Sequence, residues 1–489
     1  MVEIKFSGKI FDKNVDYCIL PICKNFNYGK YLSHEIVNEI LSLIRKEQIN
    51  SDYCGKTMLS FKNNGIKKFF FIGLGEPDKL TTEKIRQAAG FVIKELKTFN
   101  AKTILTIPWF DEKEKQIAQA EGLILASYDY QAPKKEKNEN DIKCMCFYGF
   151  KKKVINPTIK VCKNVFLLRD LMNMPSNIVT PTYIENKAKE IAGQHKLKIN
   201  SFTKEQAKKI GMEAFYSVAK GSNEPAKFIT LEYYGNKKSK SKTTFIGKGI
   251  TFDSGGISLK PQATLSSKIE DMRFDMSGTA VVLYLIKTAA ELKLKLNIIG
   301  IMPVTENLPS GTAYKPGDVL KTLSGKTVEV VSTDAEGRLI LADAMTYAIK
   351  NYAPDLLIDI ATLTGGCVTA LGHYATGLMG NDEEMADVMK KAGEETGERM
   401  WELPLWDEYK EQIKSQNADL KNSGGGDAAT ITAGCFLKEF AEDVRWLHLD
   451  IAGTAYGVLN KDYIPNGVAG TGLRVFINFL KKLEKEDEK

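Results

Sequence analysis

Asp334, Glu336 and Arg338 stand at alternate positions in the run VVSTDAEGRLIL (330–341), two acids and a cation within five residues. The β-branched run 328–331 before them predicts a buried strand, and Leu341, Ala344, Met345 and Ala348 behind them recur at helical spacing. The triplet therefore falls where a strand hands over to a helix. In open α/β sheets ligands bind beyond the carboxyl ends of strands, so this is a position for chemistry. The same spacing also suits a solvated turn with an arginine–acid pair, and the triplet alone does not separate the two readings.

Two further segments carry charge in similar settings. GKGITFDSGGISLKP (247–261) follows a predicted strand and supplies Lys248, Asp253 and Lys260 among glycines that permit close backbone approach. It lacks the GxxxxGK[ST] pattern of a phosphate loop, and Ser324-Gly325-Lys326-Thr327 is only the tail of such a motif. MRFDMSGTA (272–280) places Asp275 before an apolar helix, where an acid also serves as a cap or a dipole partner. Taken together, Asp253, Asp275, Asp334 and Glu336 are four carboxylates at element ends, with Lys248, Lys260 and Arg338 beside them. Four acids share a site only if strong positive charge holds them, and two divalent metal ions supply it. Such a pair can bind one water and bring its pKa from about 15.7 towards 7, giving hydroxide at neutral pH, the pattern of a two-metal hydrolase. The four histidines (34, 195, 373 and 448) include no HExxH pair, so a histidine-based zinc protease is excluded.

The elements that must position these residues are those of an α/β protein. At 489 residues the chain exceeds one ordinary core, and its 43% apolar and 26% charged content is that of a globular protein. Residues 1–160 read as a small α/β domain, with strands at 68–73, 103–108 and 144–150, helices at 81–98 and 112–127, and no catalytic constellation. The polar stretch 131–140 reads as an exposed excursion, and Pro157 with the preceding lysines marks the boundary. Residues 161–489 read as a larger α/β domain with a mostly parallel central sheet. Its strands are predicted at 228–234, 243–250, 296–304, 328–331, 356–361 and 446–451, and its charged tail 481–489 is expected to fray.

The net charge of +7 is modest, and the lysine runs 134–137, 151–153 and 237–240 read as solvated loops, so no nucleic-acid partner is expected. The sequence carries no signal-peptide pattern and no membrane-length apolar run. Eight scattered cysteines fit free thiols in a reducing, cytoplasmic setting.

The three charged segments resemble the signatures of the leucyl aminopeptidase (cytosol aminopeptidase) family, dinuclear metal exopeptidases. RDLMNMPSN (169–177), DIATLTGG (359–366), WELPL (401–405), ADLKN (418–422) and WLHLDIAG (446–453) extend the resemblance over about 165–480. It implies that Lys248, Asp253, Asp275 and Glu336 hold one metal, and that Asp253, Asp334 (side chain and carbonyl) and Glu336 hold the other. Lys260 and Arg338 become the catalytic cations, Arg338 through a bicarbonate that serves as general base. The first side chain of a peptide would lie among Met272, Leu363, Gly365, Ala452 and Ala455, an apolar lining suited to leucine and methionine. Zinc is the metal the resemblance implies, with Mn²⁺, Mg²⁺ or Co²⁺ compatible with the donors, and the assembly it implies is a homohexamer. Ser332 departs from the family's usual Asn, and a long interval after Lys260 leaves Asp271 as a rival to Asp275. A nucleic-acid-binding relative, with or without peptidase activity, is the rival function, and it predicts DNA affinity that falls steeply with salt.

Overall fold

The computed structural model describes residues 2–8, 15–23, 26–61, 66–132, 142–263, 268–458 and 460–487. The stretch 131–140 and the lysine run 134–137 lie largely or wholly outside them. The chain divides into two compact units, Met1–Phe166 with Asn460–Pro465, and Leu167–Leu459 with Asn466–Lys489. A single cut near 160 is thus replaced by one at 166/167, with a short later segment grouped with the first unit.

The first unit is built on a six-stranded sheet in the order Glu3–Ser7, Cys144–Tyr148, Thr103–Thr106, Val15–Ile22, Ile66–Gly73, Lys56–Leu59. All its pairings are parallel except that of Lys56–Leu59. Phe69, Phe70, Phe71 and Ile72 are successive and all fully buried, as a parallel strand covered on both faces requires. Helices Thr82–Thr98 and Lys113–Ala126 lie within a residue of the predicted spans, the first capped by Thr81, whose hydroxyl accepts from Lys84 N at 3.2 Å.

Pro157 does not end a domain. It sits inside the helix Lys152–Asn173. The first four N–H groups of a helix lack intrahelical partners, so a proline at the sixth position removes only one or two bonds beyond that free turn, and sixteen further residues carry the helix.

The second unit holds a nine-stranded sheet. Its order is Met400–Glu402, Thr376–Gly380, Arg445–Asp450, Leu356–Ala361, Thr243–Gly247, Asn297–Asn307, Lys227–Tyr234, Lys198–Thr203, and Gly249–Asp253 pairs with the far end of Asn297–Asn307. The central strands run parallel and the flanking pairs Thr376–Gly380/Arg445–Asp450 and Lys227–Tyr234/Asn297–Asn307 run antiparallel. All eleven residues of Asn297–Asn307 are buried, so this strand lies at the centre of the core.

Three expectations for this unit change. The strand predicted at 243–250 breaks at Lys248, where the chain steps from one pairing on Asn297–Asn307 to another. The strand predicted at 328–331 is Thr327–Glu329, and it belongs to a separate three-stranded sheet with Val319–Lys321 and Leu420–Lys421. Val328 and Val330 are buried while Glu329 and Val331 face outward, so this run alternates where the central strands do not. The charged tail continues the helix Leu473–Asp487, because Leu473, Phe476, Ile477 and Leu480 bury one face of it. No described helix is long and apolar enough to cross a membrane.

The eight cysteines are free thiols, four buried and four partly buried.

Candidate metal centre and substrate cleft

The parallel strands deliver their next residues to one edge of the sheet. Lys248 follows Thr243–Gly247, Asp253 ends Gly249–Asp253, Asn307 ends Asn297–Asn307, Thr362 follows Leu356–Ala361, and Asp450 ends Arg445–Asp450. Asp275 comes from the turn before the helix Ser277–Leu292, and Glu336 precedes the helix Gly337–Tyr352.

Asp253, Asp275 and Glu336 are buried, and each offers a carboxylate oxygen within 4.8 Å of the others. Lys248, also buried, places Nζ 2.8 Å from Asp275 Oδ2 and 2.9 Å from Glu336 Oε1, and donates to the Thr362 carbonyl at 3.1 Å. Lys260 Nζ lies 2.9 Å from Asp253 Oδ2 and pairs with Asp334, whose carboxylate sits at the exposed rim. Asn307 donates to Asp253 Oδ1 at 2.8 Å and to the Thr333 carbonyl at 2.9 Å. Thr362 donates to Asp275 Oδ1 at 2.7 Å.

The electrostatics follow from four carboxylates facing two lysines. Burial pushes Asp275 well above the ordinary carboxylate range; Lys248 opposes the shift, while Asp253 and Glu336 add to it. Burial and Glu336 raise Asp253 against Lys260 and Lys248. Glu336 alone is lowered, since Lys248 and Lys260 outweigh its burial. Both lysines are raised despite burial by the acids around them. The cluster is short of positive charge.

Lys248, Asp253, Lys260, Asp275, Asp334 and Glu336 line one face of a cleft of about 320 Å³. Met272, Phe274, Leu363, Gly365, Val368 and Ala452 supply apolar wall.

A family model described as the cytosol aminopeptidase family, catalytic domain, matches residues 166–477, and one for the N-terminal domain of the same family matches 24–137. The chain belongs to the cytosol aminopeptidase family. It is 42% identical over 442 residues to a probable cytosol aminopeptidase of Geotalea uraniireducens (strain Rf4), covering 88% of each chain. It is 38% identical over 494 residues to one of Hydrogenovibrio crunogenus (strain DSM 25203 / XCL-2), covering 98% and 99%. Among solved structures, the bottromycin maturation enzyme BotP in complex with Mn superposes with a TM-score of 0.84 at 28% identity, over 96% of this chain and 99% of that one. The α/β architecture in two units is that of a cytosol aminopeptidase, and the chain is a peptidase of that family.

Against this frame two of the expected positions differ in setting. Arg338 is buried and is not part of the cleft lining; its Nε has no hydrogen-bond partner among the described residues. Burial pushes it down to about 10, with Glu336, Asp450 and Asp334 opposing. Ala455 is 1% exposed and also lies outside the lining. Asp271, the rival to Asp275, lines the cleft but is not one of the three clustered carboxylates; its Oδ2 accepts from Lys268 N at 3.1 Å.

Sequence reasoning missed the residues that hold this cluster in place. Asn307 is one, and its only sequence signal is a polar ending on an otherwise apolar strand. Asn422 is another: its Oδ1 accepts from Val331 N at 2.8 Å and Ser332 N at 3.3 Å, while Nδ2 donates to the carbonyls of Ser332 at 2.7 Å and Ala335 at 3.3 Å. All four of its bonding directions fix the turn that carries Asp334 and Glu336. Its signal was the ADLKN motif.

Gly337 is required by close approach. A Cβ there would come within 2.5 Å of Lys248 Cε and 2.8 Å of Lys248 Nζ. Gly337→Ala is therefore expected to displace the Lys248 side chain and lower kcat/KM on a leucine amide by about 10²-fold, the cost of a misplacement near 1 Å. A steady-state assay checks this, and activity within threefold of wild type would contradict it.

Proposed function

We propose that the protein is a metal-dependent aminopeptidase that releases apolar first residues, leucine and methionine above others, from peptides. The observation that carries the reading is the buried trio Asp253, Asp275 and Glu336, charge-paired by Lys248 and Lys260 on one side of a cleft that also has an apolar wall.

The donor set suits the implied cofactor. Three clustered carboxylates, Asp334 at the rim and one amine form an oxygen-rich set with a single nitrogen, compatible with Zn²⁺, Mn²⁺, Co²⁺ or Mg²⁺. Asp275 Oδ2 faces Lys248 as an ion pair without an aligned hydrogen bond, which leaves it a free lone pair. Lys248, Asp253, Asp275 and Glu336 would hold one ion, and Asp253, Asp334 and Glu336 the other, with zinc the metal proposed. When bound, two such ions supply a water acidified towards neutral pH and a Lewis acid for the scissile carbonyl.

The protein's own side chains do the rest. Lys260, cationic and lining the cleft, takes the negative charge that develops on the carbonyl oxygen, a role worth about 2.7–4 kcal/mol. Arg338, with Nε–H unpartnered, has a donor free for an anion, and bicarbonate held there would supply a proton acceptor. Met272, Leu363, Gly365 and Ala452 receive the first side chain and exclude water from it. Assembly as a homohexamer belongs to the same reading and is checked by light scattering.

The test is hydrolysis of an amino-acid amide panel by protein dialysed against a chelator, then reloaded with Zn²⁺, Mn²⁺, Co²⁺ or Mg²⁺. Activity should vanish on stripping, return with metal, favour leucine and methionine, and be absent on N-acetylated peptides. Full activity in stripped protein would overturn the metal dependence, and a profile confined to glycine or acidic residues would overturn the specificity.

A further inference from the structure

Asp450 ends the strand Arg445–Asp450 and is fully buried. Its Oδ1 accepts from the backbone N–H groups of Leu363 and Ala452, each at 3.1 Å, and its Oδ2 accepts from the Thr364 hydroxyl at 2.7 Å. Leu363, Thr364 and Ala452 all line the cleft. They leave two neighbouring parallel strands, whose last paired residues are Ala361 and Asp450. The last backbone bond between the strands runs from Ile451 N–H to the Ala361 carbonyl at 2.8 Å, and beyond it the Asp450 side chain ties one loop to the other.

The tie reaches the charged cluster through the same loop. Thr362, one residue before Leu363, donates to Asp275 and accepts from Lys248. The carboxylate therefore fixes the apolar wall at a set distance from the cluster. Three donors converge on this one buried side chain, and its two oxygens accept from all of them.

We propose that Asp450 is the positioning residue of the pocket for the first side chain, setting the width between the 362–364 wall and Ala452 and hence the discrimination among apolar residues. The inference rests on the aminopeptidase reading above. It acts by hydrogen bonds, so asparagine should serve: its carbonyl oxygen can accept both N–H groups, and its amide can donate to the Thr364 hydroxyl. That hydroxyl can then turn its proton to Thr430 Oγ1, which lies 2.8 Å away. Asp450 also faces the Arg338 guanidinium and the His448 imidazole through space, so a role carried by charge has to be separated from one carried by hydrogen bonds.

The experiment compares wild type, Asp450→Asn and Asp450→Ala on leucine, alanine and phenylalanine amides in metal-loaded protein. Asp450→Ala should raise KM for the leucine amide about tenfold and lower the leucine-to-alanine ratio of kcat/KM by a similar factor, the scale of one misfitted methylene. Asp450→Asn should stay within about threefold of wild type on both readouts. Equal damage in Asn and Ala would overturn the proposal in favour of charge, and a fall in kcat with an unchanged ratio would overturn it in favour of a general structural role. Should Asp450→Ala not fold, Thr364→Val against Thr364→Ser asks the same question, since only serine keeps the hydroxyl tie; equal ratios in the two would overturn it. An inactive wild type would instead count against the aminopeptidase reading itself, whereas an active wild type with an unshifted Asp450→Ala overturns the positioning role alone.

Discussion

Glu336→Ala is expected to lower kcat/KM for a leucine amide by at least about a thousandfold, close to 4 kcal/mol of transition-state stabilisation, and to lower bound metal below two ions per subunit. The side chain is 1% exposed, meets Lys248 Nζ at 2.9 Å and accepts from Asn307 Nδ2 at 3.4 Å. Among the clustered acids it is the one held below its ordinary pKa, so it is ionised where Asp253 and Asp275 resist ionisation. It also sits at the start of the helix Gly337–Tyr352, where the dipole favours a negative charge. In the proposed ligand sets it serves both ions, so one truncation weakens both. The fold should survive, because Lys248 keeps Asp275 and the Thr362 carbonyl as partners when Glu336 is removed. Wild type should gain several degrees of Tm on metal addition through binding to the native state, and the variant should gain little. Elemental analysis, steady-state kinetics and thermal melts read the three consequences. A variant that keeps two ions and a tenth of wild-type activity would remove Glu336 from the centre.

The centre was legible in sequence to the extent that its residues are close in sequence. Asp334, Glu336 and Arg338 lie within five positions, and Lys248, Asp253 and Lys260 within thirteen, so charge and spacing single them out as candidates while the family resemblance supplies their roles. Asn422 was not legible that way, because it reaches the 331–335 turn from about ninety residues downstream through the pairing of Leu420–Lys421 with Thr327–Glu329. Asn307 and Asp450 likewise arrive by topology, each standing at the end of a strand with nothing nearby in sequence to name the groups it reaches. Arg338 shows the converse. Its spacing grouped it with the two acids, but it lies in the first turn of its helix and is buried outside the cleft lining, facing Glu336, Asp450 and Asp334.

The fold divided in the same way. Strand and helix types in both units followed from periodicity, and 356–361 is found to the residue. Sheet membership did not follow, since a β-branched run such as 327–330 fits a small sheet and a large one equally, and only tertiary pairing chooses. Pro157 and the charged tail misled for a related reason: local helix-breaking and fraying tendencies of about 1–3 kcal/mol are outweighed when a helix buries a long apolar face.

Lys248→Met should leave one metal ion per subunit where wild type retains two after dialysis against limiting metal. The ammonium faces Asp275 and Glu336 as ion pairs and donates to the Thr362 carbonyl, so the geometry by itself suits a counter-ion. Burial pushes Lys248 down and the facing carboxylates push it up, and the carboxylates prevail. A ligand role requires the proton to leave, which an adjacent divalent ion favours. The two roles predict opposite signs for methionine, whose side chain resembles lysine's in length but carries no charge. If Lys248 only neutralises Asp275 and Glu336, its loss makes the cluster more negative and cations bind more tightly. If it donates a lone pair, one ion is lost despite the more favourable field. Arginine keeps the charge and cannot deprotonate, so Lys248→Arg should also lose an ion. Its extra bulk against Gly337 pushes the same way, which is why methionine is the deciding variant. Two ions per subunit in Lys248→Met would return Lys248 to the role of counter-ion.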